Sequence, residues 1–405
     1  MKIVHTSDWH LGHRLHEQSQ FEEQQKFLMW LLQFIDNNGI DVLLISGDVF
    51  DTGVPSAQAQ KQYYDFLVRL TRTNCQQVFI TGGNHDAPTT INAPKELLEA
   101  LHITVVGKAA DNVEDEIFKI EVGGEQLIVA AVPYLRDQDI RRAIAAESAE
   151  EINNRYKTAL VNHYNQIASH CEIMRTPQTP VIAMGHLFAI GGKTSDSEQT
   201  IYVGNLGDIG AEDFPAVFDY VALGHLHRAQ KFGDKKHIRY SGSPYILSFS
   251  EVGFAKKIYV VETKLGKVDD VLEVEVPNFR VIKRIGGSKE YCITELEMLS
   301  DVPHELTPWV EVVLDNEENS YSGFIDITQA AENLNLEVLK ITLKNERKIS
   351  SIENLIESAK NIKEFTPHDV FKLKCKEMNV DLNAEPEVLD AFNEILQQAL
   401  ANEME

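Results

Sequence analysis

The chain has 405 residues, 43% hydrophobic and 25% charged, with a formal net charge of -24. That length predicts about two to three domains and a soluble globular protein, and so acidic a balance excludes a simple nucleic-acid coat protein, which needs net positive charge. No run approaches the roughly 18 apolar residues of a membrane span, and the apolar stretch after Met1 is too short for a secretion signal.

Along the first 260 residues, short β-branched runs alternate with longer amphipathic stretches, the pattern of an α/β fold. Predicted strands are Lys2–Thr6, Val42–Ser46, Val78–Thr81, Leu127–Val132, Val181–Met184 and Tyr220–Leu223. Phe21–Asn37 and Ala57–Thr73 read as helices, with apolar residues three and four apart. Gln138–Cys171 reads as a long, polar, mostly helical insertion carrying the basic pair Arg141-Arg142. The pattern changes around Val274–Pro277. A small α+β unit follows over 278–345, with strands near Phe279–Ile285, Trp309–Leu314 and Glu337–Leu343 and a helix at Ile327–Asn333. From Glu346 to Glu405 the chain is polar, acidic and helical in pattern, with apolar stripes at Val370, Phe371 and Leu373 and from Val388 to Leu400. The expected domains are therefore 1–277, 278–345 and 346–405. Cys75, Cys171, Cys292 and Cys375 show no C-x-x-C spacing, which argues against a disulfide framework or structural zinc and fits a reducing cytoplasm.

Five polar clusters stand out, most of them directly after a predicted strand: Asp8-Trp9-His10, Gly47 to Asp51, Gly83-Asn84-His85-Asp86, Gly185-His186 and Gly224-His225-Leu226-His227. Ligand sites of open α/β layers collect at the carboxyl ends of strands, so these loops can converge. One such cluster means little, because an Asp or His after a strand is commonly a cap or a turn residue. Five in this order predict a common site. Carboxylates, an amide oxygen and imidazoles without thiolate suit manganese or iron better than structural zinc. Two ions roughly 3.5–4 Å apart can clamp a phosphate and need one bridging ligand, for which Asp48 is the candidate.

These residues resemble the calcineurin-like metallophosphoesterase superfamily, with its pattern D-x-H, G-D, G-N-H-D, G-H and G-H-x-H. Longer strings, Thr6 to Gly12, Gly47 to Thr52, residues 186–196 and Ser241-Gly242-Ser243-Pro244, are similar to the SbcD family of bacterial nuclease subunits. The resemblance implies a β-sandwich flanked by helices, a small α+β capping domain and a helical C-terminal tail. It implies that one metal takes Asp8, His10, Asp48 and His227, and the other Asp48, Asn84, His186 and His225. His85 is left free to protonate the leaving oxygen, with Asp86 holding its ring. Two Mn2+ ions are implied, with Mg2+ or Fe2+ as substitutes. The implied partners are DNA (duplex ends, hairpins and single strands) and an SbcC-type coiled-coil ATPase, with a homodimer inside a heterotetramer, near the nucleoid and not in a membrane. The chain lacks a G-x-x-x-x-G-K-[ST] loop, so ATP dependence belongs to the partner. Asp51 stands where archaeal and eukaryotic relatives carry a histidine, so that residue's phosphate role does not transfer.

A phosphomonoesterase or cyclic-nucleotide phosphodiesterase on the same metal site is the alternative. Thr52 and Asp86, where the superfamily's protein phosphatases carry Arg and Glu, weigh against it. A noncatalytic scaffold is disfavoured because every expected ligand position is filled. The stripe Tyr63, Phe66, Leu67 and Leu70 is either helix core or a homodimer face. The stripe from Val388 to Leu400 is either a packing helix or a docking segment. Arg141-Arg142 and Lys256-Lys257 are either solvated faces or DNA contacts. His5, His13, His16, His102, His163, His170, His237, His304 and His368 lack partner motifs and read as surface or core residues.

Overall fold

Val42–Ser46 reads VLLIS and is buried at every position, as a strand covered on both faces must be. The computed structural model describes residues 1–136, 149–188, 209–315 and 320–344, with Asp139 and Phe392. The chain divides into two compact units, Met1–Thr342 and Leu343–Glu405, and the elements that build the site belong to the first. The basic pair Arg141-Arg142 and, Phe392 apart, the stripes between Val370 and Leu400 lie outside the described residues.

In chain order the strands are β1 (Lys2–Thr6), β2 (Arg14–Leu15), β3 (Gln18–Ser19), β4 (Val42–Ser46), β5 (Gln77–Thr81), β6 (Ile103–Val106), β7 (Ile117–Val122), β8 (Glu125–Ala131) and β9 (Val181–His186). They continue with β10 (Tyr220–Gly224), β11 (Gln230–Phe232), β12 (Lys235–Tyr240), β13 (Lys257–Lys264), β14 (Lys267–Glu275), β15 (Ile282–Gly287), β16 (Trp309–Leu314) and β17 (Glu337–Leu343). The helices used below are α1 (Phe21–Asn38), α2 (Ala57–Leu70), α3 (Pro88–Ile91), α4 (Lys95–Glu99), α5 (Ala149–Met174), α6 (Lys289–Ser300) and α7 (Ser320–Ala331).

Two six-stranded sheets form the sandwich, in the orders β14-β13-β1-β4-β5-β6 and β11-β12-β10-β9-β8-β7. Strands β1, β4, β5 and β6 run parallel, and so do β8, β9, β10 and β12. Between the sheets lies a core of Ile3, Val42, Leu44 and Phe79 against Val129, Ile182, Met184 and Ala222. A second core joins the first sheet to α1 and α2 through Phe27, Leu31, Tyr63, Phe66 and Leu67. A third joins the other sheet to α5 through Leu160, Tyr164 and Ile167. Each Val, Leu, Ile, Phe or Met among them, fully buried, contributes about 1.5–3 kcal/mol. The expected helix-flanked sandwich is the observed fold. Tyr63, Phe66, Leu67 and Leu70 are each at most 2% exposed, so that stripe is core and not a free dimer face.

Beyond the sandwich, β15, β16 and β17 form a third sheet with α6 and α7 beside it. Here the helix expected at Ile327–Asn333 lies earlier, at Ser320–Ala331, and α6 was not foreseen. Ser288 caps α6 by accepting the Tyr291 N–H, while only Cys292 and Leu296 of the helix are buried, too short a stripe to show as periodicity. Apolar contacts of Ile282 and Trp309 with Leu15, Ile246 and Phe249, the Lys26–Glu305 pair and one buried arginine fasten this unit to the sandwich. Arg280, 5% exposed, bonds Glu23 (Nε to Oε1, 2.6 Å), Glu22 (3.0 Å) and the Thr307 carbonyl (2.7 Å), with its guanidinium 4.0 Å over the Trp309 ring. Glu22 and Glu23 occupy the first turn of α1, where the helix dipole favours carboxylates.

Candidate metal centre

Parallel pairing places the carboxyl ends of β1, β4 and β5 in one sheet beside those of β9 and β10 in the other. The five polar clusters hang from those ends. Several ligand-type residues bend the chain there on left-handed backbone: Asp8 at φ 53°, His10 at 42° and Asp48 at 49°, with His225 at 105°. Such values cost L-residues energy and persist where the surroundings enforce them. Backbone bonds from Asp8 N to Gly47 O (3.1 Å) and His10 N to Asp48 O (3.0 Å) lock the first two loops together. Gly83 leaves the room that Asp48 needs, since a Cβ there would lie 2.1 Å from Asp48 Oδ1.

Six of the expected ligands converge in two groups, and a third group of ligand-type side chains joins His10 to Asp51 and His85. Ligand atoms of Asp8, His10 and His227 lie within 4.8 Å of one another, and so do those of Asp48, His186 and His225. Asp48 Oδ2 stands between the first two groups, 3.5 Å from His10 Nε2 and 3.2 Å from His186 Nε2. Asn84 Oδ1 lies 3.0 Å from His186 Nε2 and 2.9 Å from His225 Nδ1. Of the expected ligands, all except Asn84 are buried.

The pattern of donors fits cations better than a closed hydrogen-bond network. His186 Nδ1 gives its proton to the Ser46 carbonyl at 2.9 Å, which turns the Nε2 lone pair toward two oxygens, Asn84 Oδ1 and Asp48 Oδ2. His10 Nε2 is buried without a hydrogen-bond partner. Lone pairs facing one another in a buried site need a cation or a proton between them. Burial works against a charged His186, yet the adjacent Asp48 carboxylate outweighs it and raises the imidazole to about 9. Burial also opposes ionisation of Asp48, but the His186 charge holds it well below the carboxylate range. Burial lowers His10 and, with the His186 charge, holds His225 well below its ordinary value. The cluster thus takes up positive charge at the point where the two groups meet. Its residues fit two divalent ions.

A family model described as calcineurin-like phosphoesterase matches residues 1–229, more than half of the chain. The SbcD polypeptide of the nuclease SbcCD from Escherichia coli (strain K12) is 32% identical over 406 residues, covering 100% of both chains. The chain belongs to the SbcD family of calcineurin-like phosphoesterases. The SbcD polypeptide of the nuclease SbcCD from Bacillus subtilis (strain 168) is 30% identical over 363 residues, 85% of this chain and 90% of its own. A second model, described as type 5 capsule protein repressor C-terminal domain, matches residues 278–379. Among solved structures, a dimetal phosphatase from Danio rerio aligns with a TM-score of 0.41 at 10% identity, covering 69% of this chain and 97% of that one.

In this SbcD-family chain the seven expected ligands, Asp8, His10, Asp48, Asn84, His186, His225 and His227, come together. Asp86 departs from its expected role as the partner of the His85 ring. Its carboxylate, 1% exposed, accepts the N–H groups of Val49 (3.1 Å), Phe50 (3.0 Å) and Gly83 (2.9 Å), which ties the second loop to the third. Burial, and then the nearby Asp48 charge, push it up to about 6 against those bonds. The His85 ring is held by main chain instead, its Nδ1 donating to the Asp51 carbonyl at 2.7 Å.

Sequence reasoning missed a ring of supporting groups. His13, read as a bystander, bonds Asp51 through Nδ1 (2.8 Å) and the Leu247 carbonyl through Nε2 (3.0 Å). Asp51 also faces His10 Nδ1 at 3.4 Å. Ser7 bonds the Asp8 carboxylate, and Glu251 lies 3.2 Å from His227 Nδ1. The pair Lys256-Lys257 is engaged in ion pairs. Lys256, partly buried, pairs with Glu251 at 2.6 Å, and Lys257 pairs with Glu273 at 2.8 Å. Only the Ser241–Pro244 string hinted that this stretch matters.

Proposed function

We propose that this chain is the nuclease component of an SbcCD-type complex, a metal-dependent hydrolase of DNA phosphodiester bonds. The convergence of two ligand groups on Asp48 carries the reading. End-to-end likeness to the SbcD polypeptides of SbcCD nucleases supports the DNA substrate and a partner polypeptide.

One ion would be held by Asp8, His10, Asp48 and His227, and the other by Asp48, Asn84, His186 and His225. Manganese is the proposed metal. Divalent ions held there supply Lewis-acid stabilisation of the phosphate and a nucleophile at neutral pH. The protein's own part falls to His85. With Nδ1–H committed to the Asp51 carbonyl, Nε2 is the atom that carries a proton to the leaving sugar oxygen as the ester P–O bond breaks. Water supplies the new P–O bond, and its released proton balances the one that His85 gives up.

The net charge of -24 leaves most of the DNA grip to the partner, since acidic surfaces gain nothing from counterion release. A coiled-coil ATPase of SbcC type fits that requirement. Residues 1–277 form the nuclease domain in this reading, 278–345 a cap over DNA, and 346–405 the segment that docks on the ATPase. Two copies of the chain work together in the cytoplasm, on duplex ends as an exonuclease and on single strands or hairpins as an endonuclease. No helix among the described residues is long and apolar enough to cross a membrane.

The test is cleavage of hairpin and single-stranded DNA by the purified chain with manganese, alone and with the ATPase. Single strands should be cut by the chain alone, and duplex ends once ATPase and ATP are present. If phosphomonoesters outcompete DNA in every condition, the phosphatase alternative replaces this reading.

A further inference from the structure

The two ligand groups are supported differently. In the second, His186 gives its outer proton to a neutral main-chain carbonyl, that of Ser46. In the first, the outer nitrogen of His227 faces a carboxylate, Glu251 Oε1, at 3.2 Å. Glu251 is 2% exposed and ends a short 3-10 helix, Phe249–Glu251, 24 residues further along the chain. Its second oxygen, Oε2, accepts from Lys256 Nζ (2.6 Å), Leu247 N (3.1 Å) and Ser243 Oγ (3.4 Å). Lys256 Nζ also reaches Ser243 Oγ at 2.7 Å and the His227 carbonyl at 3.3 Å. The carboxylate is thus held from one side by the Lys256 ammonium while its other oxygen meets the imidazole.

We propose that Glu251, held by Lys256, is a positioning residue that sets the tautomer and ring angle of His227 and so fixes the affinity of the first metal position. A carboxylate facing Nδ1 keeps the proton there and leaves Nε2 as the atom turned to the ion. It also makes the imidazole more basic than a carbonyl partner does. The first position therefore has a charged support behind His227 where His186 in the second has a neutral carbonyl. The assignment rests on the two-ion reading of the centre.

The test is manganese binding by the metal-stripped full chain, followed by calorimetry, with wild type and Glu251→Gln side by side. Glutamine keeps the size and a hydrogen-bond acceptor but not the charge. Because that change strands the Lys256 ammonium, the double variant Glu251→Gln/Lys256→Gln is measured too, replacing a buried ion pair by neutral amides. Both variants should bind one ion as wild type does and the other about 10- to 100-fold more weakly. Single-strand cleavage should fall at low manganese and recover at high manganese, which a misfolded protein would not do. Two wild-type affinities in the folded double variant would overturn the inference while the two-ion centre stands. Fewer than two ions on the wild-type chain would overturn that centre, and the inference with it.

Discussion

Replacing Gly83 by alanine tests whether the centre is limited by space around Asp48. The added Cβ would lie 2.1 Å from Asp48 Oδ1, 2.3 Å from Asp48 N and 2.7 Å from Asp48 Cγ. The carboxylate must retreat by about 1 Å to restore ordinary contact, and a misplacement of that size costs about 100-fold in rate. The loss should be larger here, because Asp48 Oδ2 faces His10 and His186 in both ligand groups. Gly39, at the end of α1 with φ 60°, is the matched control, because a Cβ there meets nothing within 4 Å. Alanine at Gly39 should cost roughly 1–2 kcal/mol through backbone strain alone. Manganese-dependent hydrolysis of bis-p-nitrophenyl phosphate and thermal melting would be measured for both variants. Gly83→Ala should lose activity and manganese affinity, and Gly39→Ala should lose melting temperature at full activity. A Gly83→Ala chain with wild-type rate and metal affinity would refute the crowding argument.

Further outcomes follow from the same geometry. Asp48→Ala should remove high-affinity binding of at least one ion and abolish cleavage, and near-normal activity in manganese would contradict the bridging role. His85→Gln should keep both ions while turnover drops roughly 100- to 10,000-fold; loss of an ion, seen by anomalous scattering, would make His85 a ligand. His5 is buried between Tyr220 Oη (3.0 Å) and the Leu223 carbonyl (3.2 Å), so its proton should sit on Nε2. Burial lowers it to about 3, against the Leu223 bond, so between pH 6.5 and 3 the unfolded chain binds a proton that the native one refuses. Stability from this residue should therefore fall as pH drops through that window, by at most about 1.4 kcal/mol per unit. An imidazole 15N spectrum showing His5 titrating near 6.5 would contradict it.

The strands of the sandwich were legible where the chain is buried on both faces. Residues 2–6 and 42–46 are apolar enough to stand out against their flanks, and the ligands follow them directly. The hairpin of β13 and β14 was passed over, although the turn Leu265-Gly266 carries positive φ at both residues, a two-residue hairpin signal. Alternating charges such as Asp270 and Glu273 on β14 mask its strand character, because that strand lies at a sheet edge and is largely exposed. The supporting groups were hidden for another reason. Glu251, His13 and Asp51 act through contacts between loops distant in sequence, where no periodicity marks them. Proximity misled in the case of Asp86, whose neighbour His85 points one way while its own carboxylate turns back into the loop. Its role follows from three N–H groups with nothing else to satisfy them, which only the folded backbone displays.

Arg280 has a mechanical meaning beyond its part in packing. Its N–H groups go to Glu22, Glu23 and the Thr307 carbonyl while its flat face covers Trp309, so four contacts share one rigid plane. Lysine in its place would keep the charge and lose the fork. A swivel of the three-stranded unit by a few degrees would misalign all four at once and leave Glu23, 2% exposed, as a stranded charge. The fork therefore opposes small displacements, together with the Lys26–Glu305 pair and the packing of Ile282 and Trp309 against Leu15, Ile246 and Phe249. A cavity of about 450 Å³ lies next to it, lined by Gln20, Lys256, Arg280 and Ile282. One substitution at position 280 would therefore loosen the unit and strand a buried carboxylate in the same event.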